Sequence, residues 1–116
     1  MIKSETAWKQ FISEVVKYGY VWSIEKSGEF ARHKNRYGRY SFPIWSSREK
    51  TIRQITNVSA YNGYTQIGYE LKVFVDEWVP ILNESKCMLA INCRGVNNVG
   101  FDLEIEEVIS AIYKCG

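Results

Sequence analysis

The residues able to carry chemistry are few and dispersed. One imidazole, His33, stands between Arg32 and Lys34. Nucleophilic catalysis needs a serine or cysteine within hydrogen-bond reach of such a base, and no spacing in the chain places one, or an acid, beside it. On a surface strand His33 reads as structural. The thiols Cys87, Cys93 and Cys115 are odd in number. The first two lie about 20 Å apart along an extended strand at about 3.3 Å per residue, too far to bond to each other and too widely spaced for a paired-ligand zinc site. They read as reduced, partly buried thiols of a cytosolic protein. Asp76-Glu77 and Glu106-Glu107 are sequence neighbours, and neighbours on a helix point apart, so they form solvated faces rather than an acid–base pair. Gly95 and Gly100 flank Val96-Asn97-Asn98-Val99, which matches neither the phosphate loop nor the dinucleotide fingerprint. The residue inventory therefore assigns no catalytic residue, no metal ligand and no cofactor.

Charge is more informative by position than in total. The net charge is +2, yet up to Val58 eleven Lys and Arg face five carboxylates, and beyond it four cations face eight carboxylates. If the halves separate in space, the molecule is a dipole able to steer a charged partner. Each pole suggests a different one. Arg32, Lys34, Arg36 and Arg39 alternate with Phe30, Tyr37 and Tyr40, the ingredients of a ribbon that stacks bases and neutralises phosphates; Arg32, Lys34, Arg36, Tyr37 and Arg39 are its candidates for RNA or single-stranded DNA. At the other pole Asp76, Glu77, Glu84, Glu104, Glu106 and Glu107 are candidates for meeting a basic protein by complementary charge, with Trp78 or Tyr113 as aromatic anchors.

The elements that must position these groups follow from periodicity. From Ser4 onward Ala7, Trp8, Phe11, Ile12, Val15 and Val16 recur at helical spacing, and Gly19 ends the helix. Tyr20 to Lys26 alternates, with Tyr20, Trp22 and Ile24 on one face, before a Ser27-Gly28 turn. Glu29 to Lys34 and Arg39 to Trp45 continue as strands, so an antiparallel three-stranded meander is predicted. Pro43 lacks a donor, which makes the third an edge strand or ends it. Ser46-Ser47-Arg48-Glu49 has the capping-box spacing, opening a short helix with Ile52 and Ile55 inward. Asn57 to Gly63 reads as loop and Tyr64 to Glu70 as a fourth strand. Leu71, Phe74, Val75, Trp78, Val79 and Leu82 form a second helical stripe, with a kink or tightened final turn at Pro80. Cys87 to Cys93, apolar on both faces, is the interior strand. Arg94 to Gly100 is loop, and Leu103, Ile105, Val108, Ile109 and Ile112 make a last helix. Trp8, Phe11, Trp22, Tyr40, Phe42, Phe74 and Trp78 fall on the stripes that should form the core.

The 116 residues and 13.5 kDa, 46% hydrophobic, suit a single domain over 1–116 that folds without staples. The fold class is α+β: an antiparallel meander sheet of about four to five strands with about four helices packed on it. The longest apolar run, Cys87 to Ile91, is far short of the roughly 20 residues that span a bilayer. Met1-Ile2-Lys3-Ser4-Glu5 offers no apolar signal stretch. No membrane is expected.

Taken together, Val21-Trp22-Ser23, Phe42-Pro43-Ile44-Trp45-Ser46, Phe74-Val75-Asp76-Glu77-Trp78-Val79-Pro80-Ile81-Leu82, Leu89-Ala90-Ile91-Asn92 and the final Glu106-Glu107-Val108 resemble the bacterial domain of unknown function 2750, from Trp8 to Ile112. The resemblance implies the α+β fold and a bacterial cytoplasmic setting, and assigns no catalytic residue. The long Asn57 to Gly63 segment and the basic hairpin depart from that pattern. More loosely, size and charge are similar to those of small immunity proteins that neutralise secreted toxins. The expectation is a non-enzymatic protein-binding module whose partner is a basic toxin domain, with nucleic-acid binding through the hairpin as the alternative; the sequence is silent on oligomeric state.

Overall fold

The computed structural model describes residues 5–115; Ser4, where the first helix was expected to begin, lies outside them. Helix α1 (Glu5–Tyr18) buries Phe11, Ile12 and Val15 and stops at Gly19, whose φ of +70° is open to a residue without Cβ. Strand β1 (Tyr20–Lys26) turns at Ser27 and Gly28, both at positive φ, into the two-residue β2 (Glu29–Phe30), the geometry of a tight hairpin turn. β3 (His33–Lys34) and β4 (Tyr40–Ile44) follow, then α2 (Arg48–Asn57), a 3₁₀ turn at Ser59–Tyr61 and β5 (Thr65–Glu70). The helical stretch 71–84 comprises α3 (Leu71–Val73), a π-helical turn (Phe74–Trp78) and α4 (Val79–Glu84). β6 (Met88–Arg94), β7 (Val99–Leu103) and α5 (Ile105–Cys115) complete the chain.

The α+β class is as expected, but the strands do not form one meander. They split into a sheet of order β2-β1-β5 and a mixed sheet of order β3-β4-β6-β7. The predicted strand 29–34 breaks in two. Ala31 still donates to the Ile24 carbonyl, after which the chain leaves, and His33 and Lys34 pair with Ser41 and Tyr40 in the other sheet. The sheets touch where Trp22 and Trp45 exchange backbone hydrogen bonds of 2.9 and 2.8 Å. β4 runs parallel to β6, a pairing that needs a long crossover, here made of α2, β5 and the stretch 71–84.

β4 is also not an edge strand, since β3 and β6 flank it. Pro43 is tolerated because β3 pairs only as far as Ser41, so no ladder bond is lost there, and the Pro43 carbonyl accepts from the buried Ser23 hydroxyl at 2.7 Å. Alternation along these strands feeds two cores. Val21, Phe42, Ile44, Leu89 and Ile91 join α1, α5, Phe74 and Leu82 in the larger one; Ile24, Trp45, Ala90 and Cys93 join Tyr61 in the smaller one. This is why β6 is apolar on both faces. Tyr40 is a correction: expected in the core, it is 45% exposed, because β4 is covered only from Ser41 onward.

Four helical expectations also change. The cap of α2 is Ser47, which accepts from the Lys50 amide, so the reciprocal Ser46–Glu49 box does not form and Ser46 is buried instead. α2 buries Thr51 and Gln54 while Ile52 faces solvent, because Gln54 Nε2 donates to the Gly95 carbonyl and to Asn98 Oδ1 at 2.9 and 2.8 Å. Before Pro80 the helix widens rather than tightens: Val79 donates to Phe74, five residues back, which accommodates a residue that has no donor and crowds a normal turn. Val99 and Gly100, assigned to a loop, belong to β7, which pairs antiparallel with β6. The final helix accordingly starts at Ile105 instead of Leu103. Among the described residues no helix is long and apolar enough to cross a membrane.

Candidate functional site

Three of the motifs that carry the family resemblance meet in space. β1 brings Trp22, the end of β4 brings Trp45 and Ser46, and β6 brings Asn92. Asn92 sits at φ +46° where the β6–β7 register shifts, a bulge that re-aims its side chain. Its Oδ1 accepts from the Ser46 amide at 2.9 Å and its Nδ2 donates to Ser46 Oγ at 3.1 Å. Ser46 Oγ in turn donates to Glu14 Oε1 at 2.5 Å, and Lys50 Nζ reaches the same oxygen at 3.2 Å. A continuous polar chain thus ties β6, the start of α2 and α1 together. Burial alone would raise the Glu14 pKa, but the hydrogen bonds from Ser46 and Lys50 outweigh it and hold the carboxyl below its ordinary value.

Members of this polar chain line two cavities. The first, of about 560 Å³, is lined by Tyr18, Tyr20 and Trp22 on one side and by Arg48, Lys50 and Arg53 of α2 on the other, with Glu14, Ser46, Ser47 and Glu49 completing it. Tyr20 and Trp22, two apart on one face of β1, have ring centroids 6.0 Å apart and planes 27° from parallel. Gly68 of β5 pairs with Trp22, and a Cβ there would lie 2.9 Å from the indole, so the glycine lets the ring lie down on the sheet. The second cavity, of about 470 Å³, lies between α1, α2 and the β6–β7 pair and shares Lys50 and Arg53 with the first. At its wall Trp45 Nε1 donates to the Cys93 carbonyl at 2.8 Å. Burial pushes the Cys93 thiol up to about 12, so it is no nucleophile. Sequence reading placed Trp22 in the core and passed over this cleft; the one signal was the Tyr18, Tyr20, Trp22 run preceding Arg48, Lys50 and Arg53.

The residues nominated from charge are distributed differently from either pole. Arg39 makes a bidentate pair with Glu104, at 2.6 and 2.9 Å, and also donates to the Lys86 carbonyl. Glu104 is held below, and Arg39 above, its ordinary pKa chiefly by that hydrogen bond. A candidate of the basic ribbon and a candidate of the acidic face therefore neutralise each other. Asp76 pairs with Lys72 at 2.7 Å. In the hairpin, Arg36 donates to Tyr37 and lies over its ring, while Arg32 lies over Tyr40; Lys34 is exposed. Glu77, Glu84 and Glu106 are exposed, with no hydrogen bond or ion pair to another described residue. Glu107 is also exposed. Trp78 is half-buried among Phe30 and Tyr69, whereas Tyr113 is 57% exposed.

His33 does acquire neighbours that its sequence surroundings gave no sign of. Asp102 Oδ1 of β7 is 3.8 Å from His33 Nε2 and accepts from Ser41 Oγ at 2.5 Å. The order of contacts is not that of a nucleophile and its base: the serine donates to the aspartate and is fully buried. The group is a polar tie across β3, β4 and β7.

No curated protein matches the sequence. The family described as Protein of unknown function (DUF2750) matches residues 8–112, which takes in the three strand motifs at the cleft and both helical ones. By that match the chain belongs to the DUF2750 family.

Proposed function

We propose that the protein is a non-enzymatic binding module that docks a basic protein partner on the stretch 71–84 and α5, neutralisation of a basic toxin domain being its most concrete form and the cytoplasm its setting. The observation that carries the reading is Ile81. It is 54% exposed, is flanked in the helix by the exposed, unpaired carboxylates Glu77 and Glu84, and borders a hollow of about 390 Å³ lined by Phe30, Arg32 and Trp78. An apolar anchor with Glu77 and Glu84 on its own helix, beside an aromatic hollow whose lining includes both Glu29 and Arg32, suits a partner that offers an apolar group together with cations. α5 continues the face, since Asn83 and Lys86 share a second hollow with Glu104 and Glu106. Hairpin binding of nucleic acid is the weaker reading, because Arg39 is already engaged by Glu104.

The test is affinity capture from nuclease-treated native cytosol with the wild type, with Ile81→Ser, and with Glu77→Lys/Glu84→Lys/Glu106→Lys, each first checked for folding by circular dichroism. A partner retained by the wild type and lost by both variants is expected. Its affinity should fall by about 30-fold or more on truncating the anchor, with a weaker salt dependence after charge reversal. Capture of the same proteins by all three chains, or a partner removed by nuclease, overturns the proposal.

A further inference from the structure

The cleft between β1 and α2 uses no residue of the proposed docking face. Its two walls differ in kind. One carries the exposed Tyr18 and Tyr20, 60% and 39% accessible, with the half-buried Trp22; the stacked Tyr20 and Trp22 present aromatic surface that a planar heterocycle can cover. The other carries Lys50, already committed to Glu14, and the exposed guanidinium groups of Arg48 and Arg53. Neither of these two makes a hydrogen bond or ion pair to another described residue. Five residues apart on a helix, they are about 7.5 Å apart along the axis and about 140° apart around it, and both long side chains line the cleft, so they can reach one phosphate group from two sides. The carboxylate of Glu49 stands at the same rim; it repels a bare phosphate and offers an acceptor to a sugar hydroxyl or a base amino group. The volume of about 560 Å³ falls in the range of small-molecule sites.

We propose that this cleft binds a nucleoside monophosphate, with the base stacked along Tyr20 and Trp22, the phosphate held by Arg48 and Arg53, and Glu49 accepting from the sugar or base. The site selects for the combination of ring and phosphate, since neither wall alone supplies both contacts. The same chemistry is offered by a free nucleotide and by one nucleotide of a single strand, and base stacking on aromatic side chains serves both. No covalent step is involved: Cys93, which lines the neighbouring cavity, is buried, and Ser46 is occupied by Glu14 and Asn92.

The experiment is isothermal titration of the full chain at low salt with AMP, GMP, CMP and UMP, with adenosine, with inorganic phosphate, and with a five-nucleotide single-stranded RNA. At least one monophosphate should bind saturably, with adenosine and phosphate each at least about 10-fold weaker. Arg48→Ala/Arg53→Ala should weaken that binding by about 10-fold or more and flatten its salt dependence, and Tyr20→Ala should weaken it by about 5-fold or more. Both sites are exposed, so these variants should fold; unchanged circular dichroism and melting are the check. RNA binding no tighter than the best monophosphate marks a free nucleotide as the source. RNA binding more than about 10-fold tighter, with that gain lost in Arg48→Ala/Arg53→Ala, marks a single strand. Absence of binding by every nucleotide and by the RNA up to about 5 mM, or binding that both variants leave intact, overturns the proposal. Ile81→Ser, which alters the proposed docking face without changing the charge, leaves nucleotide binding unchanged, which keeps failure here separate from failure of the protein-docking reading.

Discussion

Gly100 is the position where one methyl group should cost most. A Cβ built on it lies 2.6 Å from Cys93 Sγ, 2.8 Å from the Ile91 carbonyl oxygen and 3.0 Å from Cys93 Cα, against a favourable carbon contact of about 3.5–4.0 Å. No positive φ is involved, so alanine is sterically free to adopt the backbone, and strand propensity alone would make Gly100→Ala stabilising by about 0.5–1 kcal/mol. The overlap runs the other way. Two of the three contacts are main-chain atoms of β6, the inner strand to which β7 is paired. They move only if the ladder or the Asn92 bulge moves, which places the cost near the upper end of overpacking, about 3 kcal/mol. For a chain of this length that is about 12 °C in Tm. Urea unfolding followed by circular dichroism should show a lowered midpoint with an unchanged slope. Cys93→Ala in the same chain removes the Sγ overlap and leaves the carbonyl overlap, so a double-mutant cycle should return a coupling of about 1 kcal/mol and no more. A Gly100→Ala protein as stable as the wild type, or more so, refutes the packing described for β6 and β7.

Other expectations follow from the same geometry. Glu14 has a folded pKa below the ordinary carboxylate value of 4.5, so its contribution is complete above that value and is lost as pH falls through the folded one. The stability gap between wild type and Glu14→Gln should be widest near neutrality and close as pH falls through that lowered folded value, read from denaturation midpoints across pH; a gap that widens on acidification contradicts the sign. Cys93, with its thiol pushed up to about 12, should resist iodoacetamide in the native protein at pH 8 and react on unfolding, by peptide mass spectrometry; equal native and unfolded labelling counts against its burial. Gln54 is 2% exposed, and Gln54→Leu leaves the Gly95 carbonyl and Asn98 Oδ1 without that donor, at about 2 kcal/mol. Faster amide exchange confined to residues 94–99 should accompany it, whereas an unchanged midpoint removes the bond's importance.

Much of the local structure is legible in the chain because it is set by local rules. The Phe11, Ile12, Val15 stripe with Gly19 behind it specifies α1, the Ser27-Gly28 turn specifies the β1–β2 hairpin, and an apolar run on both faces marks β6 as interior. Periodicity reports which sides of an element are apolar and is blind to which strand lies beside it. It therefore missed the division into two sheets and the parallel β4–β6 pair, whose partners are more than forty residues apart. β7 was missed for a related reason: Gly100 looks like a loop residue until the sheet shows that only hydrogen fits there. A tally of charge carries no information about pairing either, so two apparent poles hid the Arg39–Glu104 bridge that joins them.

The sequence by itself determined the elements and their apolar faces, together with the family motifs, because capping, turn chemistry and amphipathic period act over a few residues. Tertiary structure alone decided that Trp22, Ser46 and Asn92 from three strands converge, that Gln54 is worth burying, and that Arg48 and Arg53 face an aromatic wall without a counter-ion among the described residues. The physical reason is that a cleft is the product of contacts between distant segments: its shape and field depend on register, bulge and crossover, none of which is written in the spacing of residues along one element.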